Sequence, residues 1–173
     1  MHDVGLATWF GGTLANAVAL NAAAAEAGDA SSTGAVANAG WDRWTPVNAA
    51  AIGAHLIGSV GQLLDNRDRL ASQHGVATMA VVKTGVTAAA LAATGYSRVL
   101  GRKVSQHHAV PAADATTPTA GTPAEVAAAQ KQLTALQWAI PALTGALVII
   151  TAYAGEQQRP HAVLGGLARR LSM

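Results

Sequence analysis

The sequence predicts an all-α fold, a four-helix transmembrane bundle with a long Ala/Pro/Thr-rich loop between its third and fourth helices. Three observations carry that expectation. Hydrophobic residues fill 51% of the 173 positions and charged residues only 12%, where a soluble domain gives about a quarter of its positions to charge. The charges cluster between apolar runs instead of recurring at the spacing of a solvated helix face. Four apolar stretches reach the ~20 residues needed to cross ~30 Å of hydrocarbon at ~1.5 Å per residue.

The first stretch is Val4–Ala25. Its approach, MHDVGLATW, carries Asp3 where a signal peptide would carry Lys or Arg, so it reads as a retained helix. The second is Pro46–Leu64, with Pro46 placed at a helix start, where its missing N–H costs nothing. The third is Val76–Ser97. The fourth is Leu133–Ala154, with Pro141 inside it; neighbouring helices or Ser/Thr groups can satisfy the freed carbonyl, so a bend is expected there. The chain reads as one membrane domain, 1–173.

The connections differ in kind. Glu26–Thr45 is rich in small residues and ends in Trp41-Asp42-Arg43-Trp44, where Trp41 and Trp44 read as interface anchors, as does Trp138. Asp65–Gly75 is a polar hairpin that makes the second and third spans antiparallel neighbours. Residues 104–121 read as a flexible linker. At Thr122-Pro123-Ala124-Glu125 the pattern turns helical, with Thr122 as N-cap, Pro123 as first helical residue and Glu125 as capping-box partner. Residues 155–173 form an amphipathic tail in which Val163, Leu164, Leu167 and Leu171 oppose Arg169 and Arg170, suited to a bilayer surface or to a frayed end.

Lipid gives helices no hydrophobic reason to associate, so small residues that permit close backbone approach mark the contacts. The first span carries Ala7, Gly11, Ala15, Ala19 and Ala23 at every fourth position; the second carries Ala50, Ala54 and Gly58 beside Gly53 and Gly61, and the third Gly85, Ala89 and Ala93. These rows serve contacts within the chain or with a partner chain. The basic residues divide evenly between the two membrane faces: Arg67, Arg69, Arg159, Arg169 and Arg170 against Arg43, Arg98, Arg102, Lys103 and Lys131. The positive-inside rule therefore assigns no orientation.

Ionisable groups inside spans are costly and suggest function. His55 and Lys83 are two, on adjacent antiparallel helices. With the spans set flush, Asn16 and Thr144 fall near the level of His55, giving a candidate polar cluster of Asn16, His55, Lys83 and Thr144. One reading is a proton or small-solute path through His55. The other is structural: His55 and Asn16 join helices, while Lys83 snorkels toward Asp65 or Glu156.

Other chemistries find little support. There is no cysteine, hence no disulfide and no thiolate ligand or nucleophile. The formal charge of +2 comes without a basic stripe, so no nucleic acid is expected. His55 is the only histidine within an expected span, and His107-His108 is a loop pair, so neither haem nor a metal is expected and no cofactor is assigned. Gly11-Gly12 and Gly165-Gly166 lack a phosphate loop's strand context, and Ser59 in GSVG is not a nucleophile elbow. No catalytic residue is assigned, and the reading leans away from an enzyme.

LATWFGGTLANAVALN (Leu6–Asn21), WDRWTPVNAA (Trp41–Ala50) and LQWAIPALTGALVIITAYAGEQQRP (Leu136–Pro160) resemble a family of small four-span integral membrane proteins of actinobacteria, named only as hypothetical membrane proteins. The likeness covers the spans and the GEQQRP exit but not the Ala/Pro/Thr linker. It implies a plasma-membrane location and brings no activity. Sequence thus leads to a structural or accessory component in the bilayer, packing with copies of itself or with a larger membrane complex. The alternative is a small transporter or proton-conducting module using His55 and Lys83.

Overall fold

The computed structural model describes residues 1–67, 74–106 and 113–156, and among them every regular element is helical. The elements are α1 (His2–Ala15), a π-helical turn (Asn16–Leu20), α2 (Asn21–Ala25), α3 (Ala30–Asp65), α4 (His74–Ser105) and α5 (Ala124–Glu156). Helices α3, α4 and α5 are each long and apolar enough to cross a membrane. The N-terminal helix is shorter: α1 has 14 residues. Helical backbone angles at Asn16 and Asn21 nevertheless carry it without a break through the π turn into α2.

Two boundaries differ from the sequence reading. The helix holding the second apolar stretch starts at Ala30, so Pro46 lies inside it and not at its start. The reason lies upstream. Gly28 takes a left-handed φ of +94° that turns the chain after α2, and the Asp29 carboxylate accepts from the backbone N–H of both Ser31 and Ser32, a strong N-cap. Hydrogen bonds from Ser31 and Ser32 hold the Asp29 carboxyl well below the usual carboxylate range, so the cap stays ionised at neutral pH. Helix α5 begins at Ala124, one residue after the expected start. Thr122 turns its hydroxyl back to accept from the Thr119 N–H at 2.9 Å.

Helix α1 packs closely against α3 and α5, and α4 packs closely against α5. Close backbone contacts between α3 and α4 are few, and long side chains span that seam. Lys83 Nζ donates to Gln62 Oε1 at 3.2 Å, and Arg98 pairs with Asp42 at 2.9 Å. The two pairs run in opposite order along the helices, so α3 and α4 are antiparallel, as the hairpin implied. Tyr96 with Gln132, and Lys103 with Glu125 at 3.3 Å, join α4 to α5.

The core is thin. Leu6 and Trp9 from α1, Ala51 from α3, Ala90 from α4 and Leu147 from α5 form its buried centre. Large apolar side chains elsewhere point outward, among them Val18, Ile57, Val60, Leu63, Leu64, Val81, Val82 and Ile149. An outward apolar surface of that extent fits a hydrocarbon solvent. Several hydroxyls bond carbonyls of their own helix, as Thr13 does to Trp9, Thr45 to Trp41, Ser59 to His55 and Thr87 to Lys83, each at 2.8 Å. These side chains therefore ask nothing of a neighbouring helix.

Part of the expected linker has a defined course. The Asp114 carboxylate accepts from the Thr116 N–H at 2.7 Å and from the Thr117 hydroxyl at 2.7 Å, and Thr134 of α5 donates to the Thr116 carbonyl at 3.2 Å. Short polar side chains organise this turn through its own backbone. His107, His108, the Arg69 side of the hairpin, and the tail with Val163, Leu164, Leu167, Arg169, Arg170 and Leu171 lie outside the described residues.

Backbone proximity sets how α1 meets α3. A Cβ at Gly5 would lie 2.5 Å from the Ala51 carbonyl oxygen and 2.6 Å from the His55 nitrogen, whereas one at Gly11 would meet nothing within 4 Å. Gly5→Ala is therefore expected to destabilise by roughly 1–3 kcal/mol, the usual cost of overpacking. Gly11→Ala should be neutral or slightly stabilising. Thermal unfolding of the two variants in one detergent checks the contrast.

Candidate functional site

The site begins with the glycines of the α1–α3 contact. Gly58 leaves room for the first turn of α1, since a Cβ there would sit 2.6 Å from the His2 nitrogen. His2 consequently lies over α3 one turn from His55. The two imidazole centroids are 4.4 Å apart with planes tilted by 44°, and the Trp9 ring stands 6.2 Å from that of His55. All three side chains are buried: His2 is 4% exposed, Trp9 and His55 0%.

Each imidazole is held through Nδ1. His2 Nδ1 lies 2.6 Å from Asp3 Oδ1, and His55 Nδ1 lies 3.4 Å from the His2 carbonyl oxygen. Both partners are acceptors, so both Nδ1 atoms carry the proton and both Nε2 atoms present a lone pair. Neither Nε2 has a partner, and both are buried; Trp9 Nε1 is likewise buried and unpaired. Buried polar atoms are normally paired, so three orphans in one cluster call for an explanation.

Lys83 lies beside this group, within electrostatic reach of His2, His55 and Asp3. Its ammonium donates to Gln62, not to the acids the sequence suggested, because Gln62 faces it across the α3–α4 seam. His55 and Lys83, expected at similar depth on adjacent antiparallel helices, lie within electrostatic reach of each other.

Asn16 and Thr144 lie elsewhere. Gly5 meets Ala51 and His55, Gly12 meets the Trp44 ring, and Leu20 meets Gly40. Asn16 is therefore level with the stretch between Trp44 and Gly40, about 16 Å along α1 from the His55 contact at ~1.5 Å per residue. Phe10 meets Gly145, which places Thr144 beyond the core centre from His2. Its hydroxyl is buried and donates to the Ile140 carbonyl at 2.8 Å in its own helix, just past Pro141. The flush alignment of spans misplaced both residues, because α1 slides along α3 to the register its glycines allow. His2, which belongs to the site, precedes the first apolar run, and no signal in the sequence distinguishes it from an interfacial histidine.

The small-residue row divides. Gly58 receives His2, while Ala7, Gly11, Ala15, Ala19 and Ala23 are all exposed on the outer side of the N-terminal segment. The tryptophans divide as well. Trp44 packs on Gly12 with a buried Nε1, and Trp41 donates from Nε1 to Asn21 Oδ1 at 3.2 Å; Trp138 is 52% exposed and faces outward. Asn21 in turn donates to Gln137 Oε1 at 2.7 Å, so one amide ties α2, α3 and α5 together.

The chain matches no protein family, no curated protein and no solved structure. Two features bear on function: the buried histidine group and the uncovered row along α1, the π turn and α2.

Asn21 supplies both of its hydrogen bonds across helices, so Asn21→Leu leaves the Trp41 N–H and the Gln137 carbonyl oxygen without a partner. A loss of about 1–3 kcal/mol is expected, the cost of buried groups left unpaired. Trp138→Phe should leave stability nearly unchanged. Chemical denaturation in detergent micelles, followed by circular dichroism, compares the two.

Proposed function

We propose that this chain is a small four-span integral membrane protein that acts as a structural or accessory subunit, packing with copies of itself or into a larger membrane complex. The observation that supports this most is the exposure of Ala7, Gly11, Ala15, Ala19 and Ala23 together. A helix facing only lipid gains nothing from a stripe of the smallest side chains. A helix facing another helix does, because backbones can then approach to van der Waals distance. Helix α1 turns Leu6 and Trp9 into its own bundle and leaves the small face open, with Val4 and Val18 also exposed along the N-terminal segment.

In this reading the fourth span is the continuous path from His2 to Ala25, beside the three long helices. A plasma-membrane home and an actinobacterial family are supported by the resemblance of the three quoted stretches alone. The bilayer is the constant partner, and the protein partner seats on the α1 face.

A second reading, a proton- or solute-conducting module, draws on a separate observation: His2, His55 and Lys83 gather with two unpaired imidazole nitrogens. Such a group can take up and release protons where most side chains cannot.

Because the chain has no native cysteine, a single Ala15→Cys variant reports on that face without interference. Cross-linked dimers or a discrete larger adduct in native membranes are expected, and adding Gly11→Leu should reduce them severalfold. A monomer that forms no adduct, with or without Gly11→Leu, overturns the subunit reading.

For the second reading, purified protein in liposomes should pass protons in a pH-dependent manner that His55→Ala abolishes. Flux equal to that of empty liposomes across several ions removes it.

A further inference from the structure

The orphan nitrogens of the histidine pair point past both readings. A histidine that ligates a metal holds its other ring nitrogen to a carboxylate or a backbone carbonyl, which fixes the tautomer and aims the free lone pair. This pair shows one of each. Asp3 takes the His2 Nδ1 proton at 2.6 Å, and the His2 carbonyl takes that of His55 at 3.4 Å. The two Nε2 lone pairs are left buried, unpaired and in neighbouring rings.

The ring geometry limits what can bind. Two imidazoles on opposite sides of one ion would hold their centroids about 6 Å apart, given metal–nitrogen bonds of ~2.0–2.1 Å. The observed 4.4 Å is too short for that, so axial ligation of a haem is ruled out for this arrangement. With the same bond lengths it matches adjacent positions on a single ion at a ligand–metal–ligand angle of ~90°. Among the described residues no third His, Asp or Glu joins them. Among the described residues the remaining positions are thus left to water or to an incoming small ligand.

Charge decides which ion is plausible. The ligands are neutral, the Asp3 carboxylate is bonded to one of them, and the Lys83 ammonium stands nearby, turned toward Gln62. Oxygen-seeking Mg²⁺ or Ca²⁺ finds no carboxylate cage here. Imidazole suits zinc and copper, at the high-affinity end of the first-row series.

We propose that His2 and His55 form an open, adjacent-position two-histidine site for a zinc- or copper-class divalent ion, bound through both Nε2 atoms with Asp3 orienting His2. The inference stands on the histidine geometry and is independent of how α1 assembles. It places a bound ion within a buried cluster that also holds the Trp9 indole.

The test uses the full chain in detergent, metal-stripped, with His74, His107, His108 and His161 changed to alanine so that no other imidazole contributes. Zn²⁺ and Cu²⁺ are titrated separately by calorimetry, with Mg²⁺ as control. Equimolar saturable binding of Zn²⁺, Cu²⁺ or both, with none for Mg²⁺, is expected. His55→Ala should abolish it, which separates this site from any complex of Cu²⁺ with the first residues alone. Asp3→Asn, which keeps both ligands, should weaken affinity about 10- to 100-fold, the usual effect of removing an outer-shell carboxylate. His2→Gln provides the same loss as His55→Ala if the latter fails to fold. Absence of saturable binding, or binding unaltered by His2→Gln or Asp3→Asn, overturns the proposal; a water held between the two nitrogens would give that result.

Discussion

The close approach of α1 to α3 is the constraint on which the rest of the structure depends. Gly5 lies where any side chain would strike the backbone of Ala51 and His55, and Gly58 lies where any side chain would strike the backbone of His2. Two glycines on opposite helices thus form one interlocking contact. In a membrane, where hydrophobic burial contributes little between helices, backbone proximity of this kind supplies the packing energy. It also fixes register. Once Gly5 is seated, Gly12 must sit under Trp44 and Leu20 under the methylene of Gly40.

That register has consequences at both ends of α1. At the N-terminal end it carries His2 over His55 and buries both, with Trp9 closing the group from the next turn. At the other end it brings Asn21 between Trp41 and Gln137, a polar tie among three helices. In between, it turns Ala7, Gly11, Ala15 and Ala19 outward. A site, a brace and an uncovered face all follow from one contact.

The opposite side of the bundle is built differently. Helices α3 and α4 meet through Lys83 with Gln62 and Arg98 with Asp42 instead of through close backbone packing. A half-exposed ion pair such as Arg98 with Asp42 contributes little to stability, and Lys83 with Gln62 is a single exposed hydrogen bond. They suit a seam that is positioned more than clamped. Helix α5 compensates by packing against both α1 and α4, with Leu147 at the shared centre. Its Pro141 and Thr144 are buried without disturbing that centre, because the Thr144 hydroxyl bonds within its own helix.

Several features were determined by sequence alone. The helical class, the three long apolar spans, the helical pattern resuming near Ala124 and the antiparallel sense of the Asp65–Gly75 hairpin follow from hydropathy, span length and capping chemistry, which are local properties of the chain. His55 and Lys83 were legible too, because an ionisable side chain within an apolar run is visible without coordinates. The start of α3 at Ala30 was partly legible: Asp29 before Ser31 and Ser32 is a cap signal, hidden by a stretch whose small residues read as a loop and by Pro46, which read as a beginning. What only the tertiary structure decided was register. The offset between α1 and α3 depends on which glycines can touch, and periodicity gives the face of a helix but not its slide along a neighbour. For that reason His2 and Asp3 entered the site and Asn16 and Thr144 left it. For the same reason a row of small residues that sequence could assign to either an inner or an outer contact turned out to face away from its own chain.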